Sequence, residues 1–340
     1  MAERVLKCPH CNAPLTPPSR FARSVTCSFC GVTVQLDPAA VSAARFREAF
    51  QAWNQPARHG YSTWWTLGDS HWAPGGLIAR GELSDVYVAE RARWPTERVL
   101  LKVLRNPDDA PLFEHEWDVL EQLQRSTADG AATFTTRLPQ PVARGVLRDG
   151  PHAGARAMAL RWPSGFVHTF EAVRRAYPTG IEPRVSIWMW RRILETLSFL
   201  HRSGVVHGAV LPQHLLVQHR EHGARLVGFS CADRPGARLR AVCTGCEGFY
   251  PESLLRSETL TPEADLMMSA RCIAALLGGE PSRGTVPDSV PGALAALVRH
   301  AATGEGAGES GGDAWTLRER VGEVSARVFG RPGFHPLAMP

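Results

Sequence analysis

Two cysteine pairs near the N-terminus limit what this chain can fold into more than any later feature. Cys8-Pro-His-Cys11 and Cys27-Ser-Phe-Cys30 form C-x2-C-x15-C-x2-C, a spacing in which two tight turns deliver four thiolates to one tetrahedral Zn²⁺. Each pair is followed by a residue that tolerates positive φ, Asn12 and Gly31, as a knuckle needs if backbone N–H groups are to face the sulfurs. A module of about 36 residues cannot bury enough apolar surface to fold alone, so the metal supplies its folding free energy. Four cysteines leave no coordination position for water, which makes such a metal structural rather than hydrolytic. His10 lies inside an intact pair and reads as a solvent-facing knuckle residue.

Val32 to Leu36 then alternates like a strand, and the stretch 1–36 resembles the zinc-ribbon family over its whole length. Ribbons of this kind bind nucleic acid or protein. Arg4, Lys7, Arg20 and Arg23 give this one a modest positive face, but the whole chain carries a net charge of only +5 and its basic residues are scattered, so charge alone does not argue for nucleic acid. Asp37-Pro38 places an N-cap residue and a proline at a helix start, and Phe46, Phe50 and Trp53 fall on one helical face. This predicts a helix over 37–54 within a linker reaching residue 60. No apolar stretch approaches the ~20 residues of a membrane span, and the N-terminus has no secretory pattern. A cytoplasmic location is expected, where eight cysteines read first as metal ligands rather than disulfides.

The rest of the chain carries a series of short motifs in a fixed order. Ile78-Ala-Arg-Gly81-Glu-Leu-Ser84 is a degraded glycine-rich loop. Val99-Leu-Leu-Lys102 is a strand ending on a lysine, and the apolar positions 113, 117, 120 and 123 make one face of a helix that carries Glu116. Residues 157–163 read as a strand and hinge. Trp190, Ile193, Leu194, Leu197 and Leu200 form a helical stripe ending at Ser203-Gly204. Then come Val205-Val-His207-Gly-Ala209-Val-Leu211-Pro212-Gln-His214, Arg225-Leu-Val-Gly228-Phe229-Ser230, Gly245-Cys-Glu-Gly248-Phe-Tyr250-Pro251-Glu252 and Ala264-Asp265.

In this order the motifs resemble the protein-kinase family from about residue 77 onward. The resemblance implies an α+β, two-lobed protein-kinase-like fold, with a β-rich small lobe over 61–163 and a helical large lobe over 164–340. It assigns Lys102 and Glu116 to the family's ion pair, with Glu114 as a rival partner. It leaves Gly81 as the one surviving glycine of its loop, since Ala79 and Ser84 replace the others. His207, Phe229, Glu252 and Asp265 match positions that hold the scaffold together.

The reactive positions differ. Ala209 stands where the family has its catalytic-base aspartate, Leu211 where it has the loop lysine, His214 where it has the metal-binding asparagine, and Gly228 where it has the metal-binding aspartate. Loss of a general base costs only ~10²–10⁴-fold. Loss of both metal ligands is worse, because Mg²⁺ must bridge the phosphates and neither glycine nor a neutral histidine replaces a hard carboxylate ligand. Asp233 is the candidate for compensation.

The expected protein is therefore a pseudokinase, a signalling or scaffolding protein acting through protein partners. Any ATP binding at Gly81, Lys102 and Glu116 is expected to be weak, and Mg²⁺ is not expected. Two alternatives stay open: an atypical ATP-dependent transferase with a rearranged metal site, and a nucleic-acid-binding protein acting through its ribbon. Cys243-Thr-Gly-Cys246 has metal or redox spacing, with Cys231 a candidate neighbour and Cys272 apart. Residues 302–313 read as a loop before the last helix, and the partner of Glu252 is not evident.

Overall fold

The structure, a computed structural model, describes residues 7–8, 11, 13–16, 24–31, 33–35, 64–92, 97–163, 165–219, 222–305, 313–331, 333–335 and 337–339. The helix expected over 37–54, together with His10 and Asn12, lies outside the described residues. The chain divides into two compact units, Met1–Ser62 and Thr63–Pro340.

In the first unit β1 (Ser24–Thr26) pairs antiparallel with β2 (Thr33–Gln35), placing Val25 opposite Val34. Cys8, Leu15, Val25 and Cys27 are buried together. A core in which sulfur makes up so much of the apolar content is what a metal-dependent module leaves when the ion is set aside.

The second unit begins with a six-stranded antiparallel sheet in the order β3 (Trp65–Leu67), β4 (Ser70–Arg80), β5 (Ser84–Arg91), β6 (Arg98–Leu104), β8 (Arg156–Arg161), β7 (Pro141–Val146). The period-2 alternation of β6 decides its two faces. Val99, Leu101 and Val103 are buried with Trp65, Trp72 and Ala159, so Leu100 and Lys102 point the other way. Lys102 is flanked across the ladder by Val86 and Met158. Helix α1 (Ala110–Gln124) starts with a proline in its first turn and buries Phe113, Glu116, Trp117, Leu120 and Leu123 at the three- and four-residue spacing of one face.

The remainder is mostly helical. After α2 (Ala131–Phe134), β9 (His168–Thr169) and α3 (Phe170–Ala176), the 20-residue α4 (Pro183–Arg202) runs through the largest core. Next come β10 (Leu215–Gln218) and β11 (Gly223–Leu226), which form a small sheet with β9, and then α5 (Glu252–Ser257), α6 (Pro262–Leu276), α7 (Gly292–Thr303) and α8 (Ala314–Phe329). Helix α6 is buried on nearly every side, and among its apolar residues it buries Asp265, Ser269 and Arg271, polar groups that must find partners inside the core. Thr261 caps it by accepting the Ala264 N–H, and Trp190 of α4 donates to Ser269 of α6 at 3.1 Å.

The loop expected over 302–313 begins two residues later than expected and ends where expected, before Ala314. Helix α7 continues through Thr303, and the Asp313 side chain accepts the Thr316 N–H at 2.9 Å to cap α8. Among the described residues no helix is long and apolar enough to cross a membrane.

Candidate functional site: the interlobe cleft and a four-cysteine cluster

Lys102 within β6 and Glu116 on α1 form an ion pair. Glu116 is only 1% exposed, and its second carboxylate oxygen accepts the Phe229 backbone N–H at 3.3 Å. The pair thus joins the sheet, the first helix and the segment after β11. Glu114, the rival partner, is instead half-exposed and bonds Arg156.

The loop 205–214 is held from below by one buried carboxylate. Asp265, fully buried in the first turn of α6, accepts the N–H groups of His207 and Gly208, each at 2.8 Å, and His201 Nε2 approaches it at 3.0 Å. Gly208 has φ +69°, and a Cβ there would lie 2.6 Å from Leu260, so only glycine lets the backbone reach Asp265 in this way. The fully buried His207 accepts the Ala209 N–H at Nδ1 and meets the Val227 carbonyl through Nε2 at 3.2 Å, while Phe229 packs edge-on against its ring. Burial lowers its pKa to about 4, against the opposing pull of Asp265. The ring is neutral at physiological pH.

Positions 214 and 228, which the resemblance sets against the family's metal ligands, are in contact with each other. Gly228 has φ +78°, and a Cβ built there would lie 2.7 Å from Cδ2 and 2.8 Å from Nε2 of His214. The imidazole therefore fills the volume that a side chain at 228 would need. It is fixed by the Ala209 carbonyl at Nδ1, 2.8 Å, and by Glu82 at Nε2, 3.4 Å. Both partners offer acceptor oxygens, so the ring is held from both of its nitrogens.

Glu82 follows Gly81 at the tip of the β4–β5 turn and reaches across the cleft. Its carboxylate also accepts from Gln213 Nε2 at 3.1 Å and from Cys243 Sγ at 3.0 Å. The hydrogen bond from His214, ahead of the other contacts, holds it far below the usual carboxylate range. Arg105 ties the turn down by bonding the carbonyls of Gly81 and Glu82. A carboxylate thus bridges the glycine-rich turn and the loop at 209–214.

Ala209 and Leu211 are 2% and 0% exposed and belong to the large-lobe core. Asp233, the candidate for compensation, is engaged by Arg240 at 2.7 Å and by the Arg234 N–H, and it is not brought to Gly228. Glu252 lies exposed on α5 and pairs with Arg256 at 3.1 Å. The end of its segment is held instead by Arg271, a residue the sequence reading passed over. This buried guanidinium in α6 donates to the carbonyls of Tyr250 at 2.7 Å, Gly248 at 3.3 Å and Ala302 at 3.0 Å. A lone arginine inside the apolar run Ser269–Leu277 was the available signal. Glu82 and Gln213 were also missed, because nothing in sequence brings residues so far apart together. Cys231 is buried against the Ala241 carbonyl and Cys272 is buried in α6.

In the first unit the ligand sulfurs of Cys8, Cys11, Cys27 and Cys30 all lie within 4.8 Å of one another. Cys8–Cys30 is 3.7 Å and Cys11–Cys27 is 3.6 Å. With Zn–S near 2.3 Å, a tetrahedral site has S···S edges of about 3.8 Å. The Gly31 N–H closes the second knuckle on the Cys27 carbonyl at 2.9 Å, and backbone N–H groups of Cys30 and Phe29 lower the Cys27 thiol to about 7. The cluster can hold a metal ion such as zinc.

No family model matches the chain. It is 34% identical over 99 residues to the phosphorylase b kinase gamma catalytic chain, liver/testis isoform, of Bos taurus and of Homo sapiens, and the match covers 27% of this chain and 24% of each relative. The chain thus spans about a quarter of the curated relatives it matches. A solved kinase domain aligns at 13% identity with a TM-score of 0.49, covering 62% of this chain and 64% of its own. The fold is kinase-like: a mixed α/β architecture with an antiparallel sheet, helices, and an N-terminal cysteine cluster.

Proposed function

We propose that this chain is a pseudokinase: a kinase-like protein that transfers no phosphoryl group and acts as a signalling or scaffolding protein through protein contacts. The observation that carries the reading is the His214 ring lying on Gly228. The place where carboxylate and amide ligands would hold Mg²⁺ is filled by an imidazole locked to Glu82, and Mg²⁺ demands hard oxygen ligands in near-octahedral array. With Ala209 and Leu211 turned into the core, no group is left to orient a hydroxyl or to neutralise charge on a transferring phosphoryl group. Lys102 supports weak nucleotide binding as a point charge. The experiment is transfer from radiolabelled ATP by the purified chain, with Lys102→Ala as the control for contaminating kinase. No incorporation is expected. Label that appears in the parent and vanishes in Lys102→Ala would instead establish a transferase with a rearranged metal site.

The first unit is, on this reading, a zinc ribbon. Cys8, Cys11, Cys27 and Cys30 supply the ligands for one structural zinc, and the unit adds a second surface for partners.

A further inference from the structure

A second C-x2-C pair lies at the mouth of the cleft, and its surroundings differ from those of the first four cysteines. Cys243 and Cys246 are half-buried, with their sulfurs 3.6 Å apart. The Cys246 N–H bonds the Cys243 carbonyl at 3.2 Å, closing a four-residue turn whose end Cα atoms fall within about 7 Å, inside the span a disulfide needs. Gln213 Nε2 contacts both sulfurs, at 3.2 and 3.1 Å, and Cys243 donates its S–H to Glu82 at 3.0 Å. The four-cysteine cluster is the one group of metal-ligating side chains that converges among the described residues. Around Cys243 and Cys246 the polar groups run in a chain through Glu82 to His214.

We propose that Cys243 and Cys246 are a redox-modification site, a dithiol that hydroperoxides oxidise to a disulfide, and that this oxidation releases the glycine-rich turn from the loop at 209–214. In the first step the Cys246 thiolate attacks a peroxide oxygen. The O–O bond breaks, hydroxide departs and takes up a proton as water, and a sulfenic acid forms. In the second step the Cys243 sulfur attacks the sulfenic sulfur and expels its hydroxyl, which leaves as water with the Cys243 proton. Two thiols are oxidised, and hydrogen peroxide is reduced to two waters. A small dithiol reverses the reaction by exchange.

The coupling follows from which atom holds the turn. A disulfide sulfur carries no hydrogen, so Glu82 loses the donor at 3.0 Å and keeps only Gln213 and the longer contact to His214. The same bond works in reverse, because the carboxylate, after burial, holds the Cys243 proton on and slows the second step, closure of the disulfide on the sulfenic acid, while the turn is docked. Docking and oxidation therefore oppose each other, as linkage requires.

The test uses the full, metal-loaded chain. Residues 241–256 lie between Arg240 and Arg256 and contain both cysteines on one tryptic peptide. After hydrogen peroxide and alkylation this peptide should be lighter by two hydrogens and unlabelled, and a dithiol should restore labelling. Cys231 and Cys272, whose thiols burial pushes up, should stay reduced. Glu82→Gln should speed closure of the disulfide on the order of tenfold, one pKa unit at the Cys243 thiol, and hydrogen exchange over 80–86 should rise on oxidation of the parent but not of Cys243→Ser. A peptide that stays reduced, an unchanged rate in Glu82→Gln, or unchanged exchange overturns the proposal. So does a second zinc per chain that shields these thiols until a chelator removes it.

Discussion

Glu116 shows how a single residue ties an element to the cleft. Its carboxylate is buried and is balanced by Lys102 and one backbone N–H, so removing the lysine alone leaves an uncompensated buried charge. Lys102→Ala should cost about 3–5 kcal/mol, and Lys102→Met combined with Glu116→Gln should recover most of it. Urea midpoints of the three chains measure this, and equal losses in the single and double variants would contradict the account. Gly228 is the second test at this scale. Gly228→Asp combines a left-handed backbone with a collision against His214, so it should destabilise by about 1–3 kcal/mol without conferring Mg²⁺-dependent ATP binding. Calorimetry with and without Mg²⁺ checks the second point.

At the level of elements, α6 organises the cleft loop through Asp265, and the neutral His207 above it makes that arrangement pH-sensitive. The folded His207 has its pKa lowered to about 4, whereas in the unfolded chain it is near 6.5. Above pH 6.5 neither state binds the proton. Between 6.5 and 4 the unfolded chain binds it and the folded one does not, so stability falls through that window by up to about 3 kcal/mol. His207→Asn should flatten the curve there, seen as a smaller change in urea midpoint between pH 6.5 and pH 4; parallel curves would rule the explanation out. The extent of this layer was legible in sequence. The stripe 190–200 foretold α4, the spacing 113–123 foretold α1, and Asp265 was placed by its motif. The Glu82 clasp and the Arg271 anchor were not, because each joins segments far apart in sequence through single hydrogen bonds that leave no periodicity to read. The Pro-Glu motif, read in isolation, drew attention to Glu252, which lies exposed, rather than to the carbonyls beside it.

For the whole molecule, the two units rest on different physics. Residues 63–340 have a large apolar core, whereas among the described residues of the first unit the buried cluster is Cys8, Leu15, Val25 and Cys27. Metal analysis should find one zinc per chain. Cys27→Ser should lose it and unfold the first unit, seen by proteolysis within residues 1–62, while the thermal transition of the larger unit stays in place. Full zinc in that variant would remove the assignment. The imidazole resting on Gly228 has a further consequence. On the pseudokinase reading proposed above, an aspartate introduced at 228 first meets the His214 ring, and an asparagine introduced at 214 loses the bridge to Glu82 and gains no metal. Neither single exchange assembles a metal site, so the two positions can change profitably only together.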